Sequence, residues 1–221
     1  MKSNKLFLAF ALLPCLVLAQ LSTRSSWIDL KDSDRTAAFA FAEDYKAFMA
    51  IAKTELTTVK EVVALAEKNG FKPLAENSAW RPGAKYYDVN RDRTICLIVA
   101  GKNKMRDGVR LIGSHIDSPR LDLKARPLYE REQYALFQTI YHGGIKKYQW
   151  VNVPLALMGR IDKTDGTITW VNVGNKPGEP VFIIPDLAPH VDRDNRSRSA
   201  SDAIRGEELD PIIGSIPDDV S

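Results

Sequence analysis

Two cysteines in 221 residues are too few for a disulfide framework. One of them, Cys15, sits in the N-terminal apolar run, which leaves Cys96 alone in the rest of the chain. Cys96 lies inside Ile95-Cys-Leu-Ile-Val-Ala100 and is expected to be a buried small hydrophobe rather than a reactive thiol. Net charge is also scarce. The 31 bases against 28 acids give +3, and without Lys2 and Lys5 the balance is 29 against 28, or +1. No basic surface for nucleic acid follows from so even a balance. After the first twenty residues no stretch approaches the roughly 20 apolar residues of a membrane span. There is no glycine-rich phosphate loop and no internal repeat. With only three histidines, each can be weighed as a candidate ligand.

The N-terminus is where charge and hydrophobicity do concentrate. Lys2 and Lys5 precede an apolar run from Leu6 to Ala19 that only Pro14 interrupts, and Val17-Leu-Ala19 supplies a cleavage-like end before Gln20. Residues 1–19 therefore read as a signal peptide, the chain as exported (periplasmic or secreted), and membrane insertion as lost with the signal, with an uncleaved N-terminal anchor as the alternative.

Beyond it, Asp32-Ser-Asp34 offers helix caps, and Ala37–Lys53 has helical spacing. Thr58-Val-Lys-Glu61 reads as a capping box, for a helix that ends at Asn69-Gly70. Strands follow over Lys85–Asn90, over Thr94–Ala100 as a run of buried type, and over Val109–Ile112. Past residue 120 short strands recur at Leu121–Ala125, Tyr134–Tyr141, Pro154–Ile161, Thr167–Val173 and Val181–Ile184. Turn signals at Gly143-Gly144, Asp165-Gly166 and Lys176-Pro-Gly178 separate them. Asp192–Ser201 reads as a surface loop. The fold class is a mixed α/β one: a partial α/β layer over residues 20–119, followed by a β-rich domain over residues 120–221.

His115 closes the third of these strands, in Gly113-Ser-His-Ile-Asp-Ser-Pro119. The end of a strand is where functional groups gather in open α/β sheets. A neutral imidazole ligates zinc well, and a carboxylate two residues on can hold its other nitrogen in the required tautomer. Taken alone, His-x-Asp also suits a structural turn. The longer string Ile112–Lys124 resembles the first metal-ligand segment of the zinc aminopeptidase family of aspartyl aminopeptidase and vacuolar aminopeptidase I. The resemblance continues through Tyr141-His-Gly-Gly-Ile145, Pro154-Leu-Ala-Leu-Met-Gly-Arg160, Ile184-Pro-Asp-Leu-Ala-Pro-His190 and Gly206–Ser215. Trp150-Val-Asn-Val153 departs from the family's Trp-x-Asp-Arg string and points to the bacterial branch.

That resemblance implies hydrolysis of N-terminal residues from peptides by two zinc ions per complete site. His115 would ligate metal, and Asp117 would orient it. His190 would bind substrate in a neighbouring subunit's site, within a homo-oligomer joined through the β-rich domain. His142 is expected to be a turn residue. Glu207-Glu208 looks like the family's catalytic pair but is expected to be a solvated face, because its place in the order of segments is wrong. The family's bridging Asp, its Glu-Glu pair, a further Asp and a final His have no counterpart here. The expectation is therefore a fragment, inactive alone, of the N-terminal part of such an enzyme. The alternatives are a non-catalytic oligomerisation module or pseudoenzyme remnant, and an extracellular binding domain of sandwich type. Relatives are mostly intracellular, so export rests on residues 1–20 alone.

Overall fold

A computed structural model describes residues 24–193, 195 and 197–217. The signal expected over residues 1–19 lies outside them, as do Asp194 and Arg196 of the expected surface loop. Contacts divide the chain into two units, which meet between Met49 and Ala50.

The described part of the first unit is helical. A short 3-10 turn over Ser26–Ile28 leads into α1, Asp32–Ile51, whose first turn carries Asp32 and Asp34 where acids favour the helix dipole. The helix thus takes in the expected capping residues. Arg35 donates to the Trp27 carbonyl at 2.9 Å, and the Trp27 and Phe39 rings stand 5.8 Å apart. No residue of α1 is buried, and Phe39 and Phe41 are exposed.

The second unit opens with α2, Glu55–Lys68. Its capping box is formed by Thr54 and Thr57, one turn before the expected one: the Thr54 hydroxyl accepts from the Thr57 amide at 3.2 Å, and Thr57 Oγ1 accepts from the Thr54 amide at 2.9 Å. Thr58 is instead inside the helix, its hydroxyl donating back to the Thr54 carbonyl. The helix ends at Asn69-Gly70 as expected, with Gly70 at φ +82°.

Strands β1 (Lys72–Pro73), β2 (Lys85–Asn90) and β3 (Thr94–Val99) form one sheet in that order. The run at 94–99 is a strand but not a buried one. Apolar residues on both faces of a strand need cover on both, and much of this run stays exposed although α2 packs on β2 and β3. Leu97, Val99 and Cys96 are exposed, so the expectation of a buried thiol at Cys96 is corrected. Residues 109–112 form no strand, because among the described residues no partner pairs with them. Leu111 and Ile112 are consequently 87% and 97% exposed.

From Arg120 onward the chain is β-rich. Strands β4 (Arg120–Arg131) and β5 (Tyr134–His142) form a hairpin. Its two turn residues, Glu132 and Gln133, both take positive φ, which matches the twist of a tight hairpin. Register breaks between Leu123 and Leu128, where Pro127 cannot donate to the ladder. A second hairpin pairs β6 (Leu157–Asp162) with β7 (Ile168–Val173). The expected strand at Val181–Ile184 makes only isolated bridges, Leu155 with Phe182 and Ile183 with Ile212. Last comes β8 (Ile212–Gly214), which pairs with β5.

Asp210 closes this sheet. Its carboxylate accepts from the Thr139 amide and the Tyr129 hydroxyl, each at 2.9 Å, while the buried Thr139 hydroxyl donates to the Leu209 carbonyl at 2.6 Å. Leu209 and Ile184 are fully buried beside these strands. After β7, Gly174 at φ +88° is crowded by backbone. A Cβ there would meet Pro180 O at 3.0 Å and Leu155 O at 3.2 Å. Among the described residues no helix is long and apolar enough to cross a membrane.

Candidate metal-ligand segment

Residues 109–119 run between β3 and β4 without forming helix or strand and carry the sequence-predicted ligand. His115 Nδ1 lies 2.9 Å from Asp117 Oδ1 and 3.1 Å from the Asp117 carbonyl oxygen. With Nδ1–H donated to Asp117, Nε2 keeps its lone pair and points to solvent from a side chain that is 82% exposed. This is the arrangement that prepares an imidazole to ligate a metal. A zinc site needs three or four protein donors. Among the described residues no group of three His, Cys, Asp or Glu side chains converges. The segment therefore fits zinc as one oriented ligand and not as a complete site.

The other two histidines stand elsewhere. His190 is exposed in a turn that the Val191 and Asp192 amides close onto the Ala188 carbonyl. Among the described residues no hydrogen bond or ion pair joins it to His115 or Asp117. His142 is not the turn residue that its Gly-Gly neighbours suggest. It ends β5 opposite Arg120, with Nε2 3.0 Å from Asp122 Oδ2.

Glu207 and Glu208 lie on a single 3-10 turn. Glu208 accepts from the Arg205 amide at 2.8 Å and pairs with Arg198 at 3.0 Å. Burial pushes its carboxyl up, but these partners outweigh that and hold it below the ordinary glutamate range. A carboxylate so engaged locks a loop and is not free to act as a base.

The network that sequence reading missed surrounds Arg120. Its guanidinium contacts Asp122 at 2.8 Å and Glu55, the first residue of α2, at 2.9 Å. The readable signal was Arg-x-Asp within a strand, since side chains two apart share a face. The same pattern at Arg160-Ile-Asp162 gives a second such pair.

The profile of the Aminopeptidase I zinc metalloprotease (M18) family matches residues 48–219. A probable M18 family aminopeptidase 1 of Borreliella afzelii is 39% identical over 195 residues, which are 88% of this chain and 43% of that protein. The crystal structure of the M18 aminopeptidase of Thermotoga maritima superposes with a TM-score of 0.80 at 42% identity, over 90% of this chain and 43% of the other. The S. cerevesiae mApe1 dodecamer is 25% identical with a TM-score of 0.58, over 81% of this chain and 39% of the other. The chain spans less than half the length of these relatives, yet most of its own residues are matched, and it belongs to the M18 family of zinc aminopeptidases.

Proposed function

We propose that these residues serve a zinc-dependent aminopeptidase that removes N-terminal residues from peptides, and that His115 is one of its metal ligands. The observation that carries this reading is the 2.9 Å contact between His115 Nδ1 and Asp117. Asp117 fixes the tautomer and the ring direction, and Nε2 is left for the metal. Zinc, when bound in a complete site, polarises the scissile carbonyl and lowers the pKa of water. We assign residues 20–119 to the catalytic layer and residues 120–221 to a β-rich domain that joins copies in a homo-oligomer. His190, exposed on that second domain, contributes to the substrate site of a neighbouring copy. Cleavage of residues 1–19 would place the protein outside the cytoplasm.

The test uses aminoacyl p-nitroanilides with added zinc. The 221-residue chain alone is expected to release no product. A chimera in which residues 48–217 replace the matching part of the Thermotoga maritima relative is expected to be active. His115→Ala in that chimera is expected to lower kcat/KM by about a thousandfold, the scale on which loss of a metal-activated step is felt. Activity of the isolated chain, or of the His115→Ala chimera, would overturn the assignment.

A further inference from the structure

Two strands of this chain carry Arg-x-Asp, and in both the arginine also reaches out of its own strand. Arg160 binds Asp162 at 3.2 Å and Asp92 at 2.9 Å. Arg120 binds Asp122 at 2.8 Å and Glu55 at 2.9 Å. The Arg120 pair differs in its surroundings. Both Arg120 and Glu55 are largely covered, at 25% and 18% exposed, whereas the Arg160 partners are open to water. The Arg120 pair also sits at the exit of the His115 segment, three residues beyond Asp117. The guanidinium pKa is raised, first by the hydrogen bond to Asp122, with the charges of Asp122, Glu55 and Asp117 adding to it against the cost of burial.

The segment has few other anchors. Among the described residues, 109–119 make no backbone hydrogen bond to the rest of the chain. Pro119 packs on Gly143, where an added Cβ would stand 3.7 Å from the proline Cα. Arg120 pairs with His142 across the ladder, and His142 in turn contacts the second oxygen of Asp122 at 3.0 Å. Arg120 therefore ties α2, β4 and, through Asp122, β5 at one point.

We propose that Arg120 is the positioning residue of the metal-ligand segment: by holding Glu55 and Asp122 at once, it fixes where the segment leaves the sheet and hence where the His115–Asp117 pair is presented. The purpose of that presentation rests on reading His115 as a ligand. The tether itself does not. A lysine carries the charge but not the planar fork that reaches two carboxylates, so it replaces Arg120 only in part. A glutamine removes the charge that Glu55 and Asp122 share, leaving Asp122 with His142 alone, and the exit of the segment loosens.

The test is nitrogen-15 NMR on the 221-residue chain as wild type, Arg120→Gln, Arg120→Lys and Arg160→Gln. Three quantities are read: the heteronuclear NOE of residues 115–117, the ring-nitrogen signature of the His115 tautomer, and the thermal midpoint. The wild type is expected to show an Nδ1–H tautomer at His115. Arg120→Gln is expected to lower the NOE to about half and to mix the tautomers. Arg120→Lys moves both readouts in the same direction by less, and decides the matter alone if the glutamine variant does not fold. Arg160→Gln lowers the midpoint and leaves both local readouts at wild-type values. Unchanged NOE and tautomer in the Arg120 variants, or equal changes in Arg160→Gln, would overturn the assignment. The chimera described above separates the two readings. If its His115→Ala form keeps full activity while the NOE of the chain still depends on Arg120, the ligand role falls and the tether stands.

Discussion

Replacing Asp210 with alanine removes the carboxylate that closes the β4–β5–β8 sheet. Two hydrogen bonds to an anionic acceptor are lost, one from the Tyr129 hydroxyl and one from the Thr139 amide. Such bonds contribute about 1.5–3 kcal/mol each, and a buried donor left without a partner keeps its desolvation cost. Tyr129 is only half-buried and can turn to water, so its share is toward the lower end. Thr139 is 4% exposed, and its amide cannot be rehydrated in place. The sum is about 3–4 kcal/mol, a large part of the roughly 5–15 kcal/mol that holds a domain folded. For a chain of this size that corresponds to a fall of about 6–16 °C in the thermal midpoint. Urea unfolding followed by circular dichroism measures the loss of free energy, with Tyr129→Phe and the double variant completing a cycle whose coupling is expected near 1 kcal/mol. Asp210→Asn, which keeps an acceptor but not the charge, is expected to lose about half as much. An Asp210→Ala chain within about 0.5 kcal/mol of wild type would refute the idea that this carboxylate organises the sheet.

Other perturbations have equally definite outcomes. The Glu179 carboxylate accepts from the amides of Gly174, Asn175 and Lys176, and the Lys176 bond leads the others in lowering its pKa. A depressed folded-state pKa gives stability that is present above the unfolded value and lost as pH falls through the folded one. Glu179→Gln is therefore expected to melt below wild type at pH 7 and to match it once both are neutral in acid; equal midpoints at pH 7 would count against the bond. Gly174→Ala combines a positive φ with backbone 3.0 Å away and is expected to cost about 2 kcal/mol or more in urea melts. Gln133→Gly relieves one of the two left-handed residues of the β4–β5 turn, so unfolding is expected to require about 0.5–1 kcal/mol more. A destabilised glycine variant would show that the turn is held by something other than its own backbone.

Local signals were legible in the sequence where a single stretch of chain decides the structure. Strand β5, the hairpin partners β6 and β7, and the stop of α2 at Asn69-Gly70 follow from alternation and turn chemistry within a few residues. The His115–Asp117 contact was readable for the same reason, because the partners lie two residues apart in the chain. What failed depended on distant partners. Thr94–Val99 has the composition of a buried strand, but composition cannot say whether a second layer covers it. The run at 109–112 has strand propensity but, among the described residues, no neighbour to pair with. Thr58-x-x-Glu61 and Thr54-x-x-Thr57 both offer a cap, and Thr54 prevails because its extended backbone lies just outside the first turn. The Glu55–Arg120 and Tyr129–Asp210 contacts span 65 and 81 residues, beyond the reach of any local pattern.

The closure of β5 by β8 has a consequence for the order in which the chain acquires its shape. Strands β4 and β5 meet across a two-residue turn and can zip together as soon as both exist, on the microsecond scale of hairpins. Their third partner lies about seventy residues on, so its docking must await a large loss of chain entropy. Until then the Thr139 amide and the edge of β5 stand open, a template on which another chain could pair. During synthesis at about 5–20 residues per second, that interval lasts several seconds. The stretch around Asp210 thus acts as a latch that ends an aggregation-prone phase, and slow production at high dilution would favour the soluble product.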